Sequence, residues 1–387
     1  MVDILQLHRK APYPPSSGAD RRVWEAAKKF AEFGNAWCAA PWNGSTPSSD
    51  VVHPLDIETI LLTSKISRIH LWTLLLAVGA DTLNDAFKKR CFRALESTDM
   101  TPDVVVSECP QLSPAAFSIA RESGSSLIID KHNAEFRVVD QFLKSKRVPD
   151  KIRKHIVTKH RDFEQNMIEL ADAVVFMSED DCKPFDLTST HYEVIPNGTH
   201  YSEISAKNKH FLNISGLELS KPVCIFIGSY DYEPNRDAAD TIIHDIAPSC
   251  PEVQFLLVGR NPPNTDQPNV VTPGFVDDLG SCLASSDIAL CPLSMGSGTK
   301  LKMLDYMAAG LPIVTTPVGT QGLKTKDGQT VLITRSASEM IDAIEKLVAS
   351  DEIRTRLGNN AQKLGKQYDW GTLLSKYNPL IEKVTQE

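Results

Sequence analysis

The chain has 387 residues, 42% of them hydrophobic and 23% charged, and a formal net charge of −8. That length suits two globular domains of ordinary size, and the acidic balance excludes a general nucleic-acid binder. Its eight cysteines form no C-x-x-C pair and no Cys/His ligand spacing, which predicts free buried thiols in a reducing compartment and excludes a disulfide framework or a zinc site.

The amino terminus, MVDILQLHRKAPYPP, has no basic leader followed by a long apolar core, so no signal peptide is expected. The longest apolar run, LWTLLLAVGA at 71–80, is about half of a bilayer-spanning helix. A soluble, cytoplasmic protein is the expectation. VDILQLH at 2–8 reads as a buried parallel strand, and GADRRVWEAAKKFAEFG at 18–34 as a helix closed by its last glycine. NAWCAAP is a second strand candidate. Further apolar runs follow at DVVVSE (103–108), SLIIDKHN (126–133) and DAVVFMSE (172–179), each separated by helix-length patterns, and YEVIPNG (192–198) ends this half. The stretch 199–221 is polar and irregular, as an interdomain connection would be. The alternation then restarts: PVCIFIGSYDY (222–232), VQFLLVGRN (253–261), NVVTPGF (269–275), DIALCPLS (287–294), PIVTTPVG (312–319) and QTVLITR (329–335).

Apolar strands alternating with helices imply parallel sheets covered on both faces. Occurring twice, the pattern predicts an α/β chain of two doubly wound, Rossmann-like domains facing across a cleft. The first is expected over 1–200 plus 370–387, with a returning C-terminal helix, and the second over 201–369. Open sheets of this kind bind ligands beyond the carboxyl ends of their strands, so site residues should follow strands.

One such stretch is PLSMGSGTKLKMLDYMAAGLPIVTTPVGTQGL, 292–323. A helix placed to start near Gly298 returns Asp305 to the same face at i+7, roughly 10 Å along the axis. Amides around Gly298, Thr299 and Lys300 then form an anion site at the helix mouth. Asp305 can accept hydrogen bonds from a diol, so a diphosphate joined to a ribose matches both spacings. The simpler reading makes Asp305 a solvated carboxylate near Lys302 and the glycines mere turns. The glycine-rich mouth after a strand, with the second turn at Gly310-Leu311-Pro312, favours the ligand reading.

The same stretch resembles the nucleotide-sugar signature of retaining glycosyltransferases of the group 1 type (family 4), which have the GT-B fold. PYPPSSGADRR, ADAVVFMSEDD, EVIPNG, FIGSYDYEPNRDA, LLVGR, TPGFV and YDW resemble further family segments in the right order, over nearly the whole chain. The resemblance implies donor phosphates at Gly298, Thr299 and Lys300 and a ribose at Asp305. It places Gly228, Ser229 and Arg236 against the diphosphate from the other side. Gly18 would line the cleft from the first domain, the backbone near Val276 would contact the base, and His132 would sit near the reacting sugar. Three departures stand out. Ser297 replaces a common glutamate, Asn235-Arg236 represents the usual Arg/Lys pair, and Gly18-Ala19 replaces a doubled glycine. Lys300 and Lys302 are candidates to make up the missing basic charge.

The catalytic candidates are therefore His132, Arg236 and Lys300. Gly18, Gly228, Ser229, Val276, Ser297, Gly298, Thr299, Lys302 and Asp305 are the donor-binding candidates. Amides and cations would stabilise the departing diphosphate more in the transition state than in the ground state. His132 would hydrogen-bond the sugar or take a proton, with nearby Asp130 fixing its tautomer. No D-x-D appears in a post-strand loop, so no metal and no cofactor are expected, the nucleotide sugar being substrate. The acceptor is expected to be a glycan, lipid-linked or otherwise, without nucleic acid. Residues 143–161 hold eight Lys/Arg and one Asp, and 65–95 mix a Trp-bearing apolar run with basic flanks. Both suit peripheral contact with an anionic membrane face; an ordinary basic helix and a core helix are the alternative. Two rival readings are a nucleotide-sugar 2-epimerase and a non-catalytic GT-B scaffold.

Overall fold

The computed structural model describes residues 1–386 other than 14, 16, 41–51, 57–81, 97, 99, 207–213, 215, 219 and 297. The chain divides into two compact units, Met1–Pro196 with Leu374–Glu387, and Asn197–Leu373. These boundaries lie a few residues from the expected junctions near 200 and 370. A β-bridge between Thr199 and Asp369 draws the residues after Pro196 into the second unit.

The first unit holds a seven-stranded sheet of β1 (Ile4–Leu7), β2 (Ala36–Ala40), β3 (His53–Asp56), β4 (Val104–Ser107), β5 (Ser126–Lys131), β6 (Ala173–Phe176) and β7 (His191–Val194). Its order is β3-β2-β1-β4-β5-β6-β7, every pair parallel. The second unit holds β8 (Val223–Ile227), β9 (Gln254–Val258), β10 (Val270–Gly274), β11 (Ile288–Cys291), β12 (Ile313–Thr315) and β13 (Leu332–Ile333). Their order is β10-β9-β8-β11-β12-β13, again parallel throughout. In each sheet the strand order reverses beside the unit's first strand, between β1 and β4 and between β8 and β11. Ligands of doubly wound sheets bind at such switch points.

The strands form because their apolar residues are contiguous, which suits burial on both faces and not on one. β1, β4, β6, β8, β9 and β11 are buried at every position. Leu5, Leu7, Val105, Leu127, Ile129, Val174 and Phe176 pack one core with Ile119 and Ala116 of the helix Ser113–Ser123. Burying each large apolar side chain contributes about 1.5–3 kcal/mol.

Three local features differ from the sequence reading. β3, HPLD, was not legible: it is short and carries Pro54, which an edge strand tolerates because it has only one hydrogen-bonded neighbour. The helix at Gly18 runs only to Phe30, with Ala31 as its C-cap, so Gly34 does not close it. The expected returning helix is two helices, Trp370–Leu374 and Tyr377–Gln386, and the second belongs to the first unit. Among the described residues no helix is long and apolar enough to cross a membrane. The apolar run 71–80 lies outside the described residues.

Candidate functional site

In the second unit the chain leaves β8 through Gly228 and Ser229 and enters the helix Glu233–Thr241. It leaves the neighbouring β11 through residues 292–300 and enters the helix Leu301–Ala308. Lys302 joins the two loops. Its Nζ donates to Asn235 Oδ1 at 2.7 Å and lies 4.0 Å from the centre of the Phe226 ring. Asn235 Nδ2 donates in turn to the Ser229 carbonyl at 2.8 Å. Lys302 has no carboxylate partner among the described residues, and burial lowers its pKa to about 8, with the charge of Lys300 adding to the effect. Lys300 Nζ donates to the Gly298 carbonyl at 2.6 Å, and burial brings its pKa to about 8 as well.

Glycine is required where these loops crowd together. A Cβ on Gly228 would stand 2.8 Å from Asn235 Nδ2 and 3.1 Å from Lys302 Nζ. Behind it, at the end of β9, Gly259 has φ +141° and a Cβ there would meet the Gly228 carbonyl oxygen at 1.7 Å. The bare backbone of Gly228 therefore lies directly beside an ammonium group.

The helix begins later than the sequence suggested. Gly298 has φ +70° and Lys300 is extended, so Gly298, Thr299 and Lys300 form the approach to the helix and not its first turn. The geometric reason is the left-handed glycine, which an α-helix cannot include. The amides at the mouth are those of Leu301 and Lys302, and Asp305 lies one turn in, not two. Its side chain is buried, with Oδ1 accepting from Thr199 Oγ1 at 2.6 Å. Thr299 packs its hydroxyl toward Gly322. Arg236 is exposed, its Nε donating to the Tyr230 carbonyl at 3.2 Å. Val276 is partly buried between β10 and the helix Leu279–Ala284, beside an exposed Phe275 whose ring faces the Arg260 guanidinium at 5.8 Å. Ser297 lies outside the described residues.

In the first unit Gly18 is exposed at the start of its helix, where Ser17 Oγ accepts from the Asp20 amide. His132 follows β5, and its Nε2 lies 2.9 Å from Glu108 Oε2, just beyond β4. Gln6 Nε2 donates to the other oxygen of Glu108 at 2.5 Å. Glu108 is buried, which pushes its carboxyl pKa up, and the charge of Asp130 pushes it further. The expected partner of His132 was Asp130; the structure corrects this. The buried guanidinium of Arg22 needs a counter-charge and takes Asp130, at 3.1 Å from Nη2, while the Tyr377 hydroxyl donates to the same carboxylate. His8, after β1, is held neutral by burial, its pKa lowered to about 3, and its Nδ1 bonds the Lys10 carbonyl at 2.7 Å. One ligand atom each of Glu108, Asp130 and His132 lie within 4.8 Å of one another. A cation is ill matched to them, because Asp130 already neutralises Arg22 and both oxygens of Glu108 are engaged. Nearby, Glu164 accepts from the amides of Glu135 and Phe136, at 3.1 and 2.7 Å, and from Lys131 Nζ at 2.5 Å.

Glu108, Thr199 and Gly259 were not singled out from sequence, and Asn235 was named only with Arg236, in place of the Arg/Lys pair, and not as a partner of Lys302. Glu108 and Gly259 each stand one position past a strand, which is the available signal. Thr199 and Asn235 matter through contacts between segments far apart in the chain, for which a single sequence has none.

Residues 221–350 match the family model described as "Glycosyl transferases group 1". Among curated proteins, a phosphatidyl-myo-inositol mannosyltransferase of Mycobacterium leprae is 25% identical over 205 residues, covering 49% of this chain and 53% of the relative. The Mycobacterium bovis protein of that name is 24% identical over 211 residues, with the same coverage. The match thus spans about half the length of these curated relatives. Among solved structures, a sucrose-phosphate synthase from Thermosynechococcus elongatus superposes with a TM-score of 0.73 at 15% identity, over 99% of both chains. HepE of Anabaena in complex with UDP gives 0.67 at 14% identity, over 98% of this chain and 100% of that one. WaaG, a glycosyltransferase involved in lipopolysaccharide biosynthesis, gives 0.66 at 14% identity, over 98% and 99%. The superpositions show that the chain has the fold of these structures, the GT-B fold, and the region similar to the group 1 glycosyl transferases lies within its second domain.

Proposed function

We propose that the chain transfers a hexosyl group from a nucleoside diphosphate sugar to an acceptor hydroxyl, with retention at the anomeric carbon. The observation that carries this reading is the Lys302 ammonium. It stands beside the bare backbone of Gly228, held by a neutral amide and by no carboxylate among the described residues. A partly buried cation without a counter-charge is costly, and the diphosphate of a donor offsets that cost. Lys300 and the amides of Leu301 and Lys302 would hold the same group from the helix mouth, and Gly298 and Thr299 would line the approach. Ser229 and Arg236 would contact it from the β8 side. Asp305 would accept from the ribose, and the backbone near Val276 would meet the base. As the glycosidic bond breaks, the sugar gains oxocarbenium character and the leaving diphosphate gains charge. Cations already in place favour that state over the ground state. His132, aligned by Glu108, would hydrogen-bond the sugar or receive a proton from the acceptor hydroxyl. This neutralisation uses protein cations and assigns no role to a metal.

For the acceptor we favour a lipid-linked or other glycan. The mycobacterial relatives, phosphatidyl-myo-inositol mannosyltransferases, support a lipid. So does the basic segment 143–161, where Lys151, Lys154 and Lys159 are exposed beside an exposed Ile152. We place the protein at the cytoplasmic face of an anionic membrane. Co-sedimentation with anionic liposomes at low salt is the expected outcome; protein left in the supernatant would end that part of the reading.

The donor is tested by a thermal-shift panel of UDP, GDP, ADP and TDP with and without their sugars. At a hundred times its dissociation constant a ligand adds about 2.7 kcal/mol, an unmistakable shift. If none of the eight compounds raises the melting temperature, the proposed activity is wrong.

A further inference from the structure

We infer that Thr199 is a positioning residue that orients the Asp305 carboxylate for a vicinal diol of the bound nucleotide. The inference rests on the donor reading above and adds to it a group outside the loops that surround the phosphate position. Thr199 is fully buried, and its hydroxyl donates to Asp305 Oδ1 at 2.6 Å. A hydroxyl has one proton, and an ionised carboxylate only accepts, so the direction of this bond is fixed, and it restricts the orientation of the carboxylate. An ionised carboxylate has roughly four acceptor positions, and Thr199 takes one of those of Asp305.

Thr199 is itself held unusually firmly for a residue outside any strand. Its amide donates to the Tyr368 carbonyl at 2.8 Å, and its carbonyl accepts from the Trp370 amide at 3.1 Å. The result is a parallel bridge with Asp369. The preceding residue, Gly198, lies under the buried Trp370, where a Cβ would be 2.6 Å from the ring. No side chain larger than hydrogen fits at 198, so Trp370 presses directly on the backbone that carries Thr199. A β-branched residue with few χ1 choices, on backbone pinned from both sides, presents its hydroxyl in one place. That is preorganisation of a group which never touches the ligand.

The test compares the ribonucleoside diphosphate that best stabilises the wild-type chain with its 2′,3′-dideoxy analogue, by calorimetric titration of wild type, T199V and T199S. Valine keeps the shape and removes the donor; serine keeps the donor. We expect T199V to bind the ribonucleotide about tenfold more weakly, one hydrogen bond's worth. Its affinity for the dideoxy analogue should be unchanged, and T199S should behave as wild type. Equal loss on both ligands, no loss on either, loss of discrimination in T199S, or a T199V chain that does not fold would each overturn the proposal, since each makes the hydroxyl structural or irrelevant. A wild-type chain that binds neither nucleotide refutes the donor reading instead. One that binds both equally removes Asp305 from the ribose, whatever Thr199 does.

Discussion

At the carboxyl ends of β4 and β5 the first domain presents acids already matched within their own domain: Glu108 to Gln6 and His132, Asp130 to Arg22 and Tyr377. At the corresponding ends of β8 and β11 the second domain presents lysines, and among the described residues Lys302 is held by the amide of Asn235 and the face of Phe226, with no carboxylate. The two sheets have the same strand order about their switch points. Architecture therefore does not decide what binds where. An edge whose acids are already paired suits an uncharged, hydroxyl-rich molecule. An edge with an uncompensated ammonium suits an anion. The same fold, used twice in one chain, has been given two chemistries by a few side chains just past its strands.

Substitutions can break this contrast one side at a time. The largest effect is expected on the first side: H132A should lower transfer turnover about a hundredfold, within the usual range for a positioned acid–base group. Nucleoside diphosphate affinity should be unchanged, and E108Q should show a smaller part of the same loss. Steady-state kinetics paired with calorimetric titration separate the two quantities, and a fall in nucleotide affinity for H132A would undo the division of labour. On the second side, K302M should weaken nucleoside diphosphate binding about 10- to 100-fold, the worth of a hydrogen bond to a charged group, with the apo melting temperature preserved or raised.

The smallest effect is on pH. Burial lowers Lys300 and Lys302 to about 8 in the free protein, and an anion beside them would raise both. Binding then takes up protons above pH 8, so affinity should fall as pH rises from 8 to 9, by up to about tenfold for each lysine. K302M should flatten that slope; an affinity that rises with pH would contradict the assignment.

Much of this was legible from the residues alone. Strand candidates covered eleven of the thirteen strands among the described residues, and the break in alternation suggested two domains, because burial on both faces leaves contiguous apolar runs. β3 escaped because four residues with a proline carry no periodicity. The resemblance singled out the loops after β8 and β11, and the structure altered the detail of the second: the helix starts at Leu301 because Gly298 is left-handed, which residue identity permits without requiring. For His132, Asp130 was expected as the partner because it is near in sequence, and the structure pairs His132 with Glu108 instead. Arg22 has the stronger claim on that carboxylate, and only packing shows the competition.

Glu164 bears on the same contrast. Its carboxylate occupies the amide mouth of the helix Glu135–Ser145, with Lys131 against it. Every helix in a doubly wound domain opens on an electropositive end, so duplicating the fold duplicates potential parking places for a nucleotide's charged tail. Here the first domain supplies an anion of its own at one such end. Removing it, as E164Q or E164A would, invites mis-docking there, a decoy that the wild-type chain closes from within.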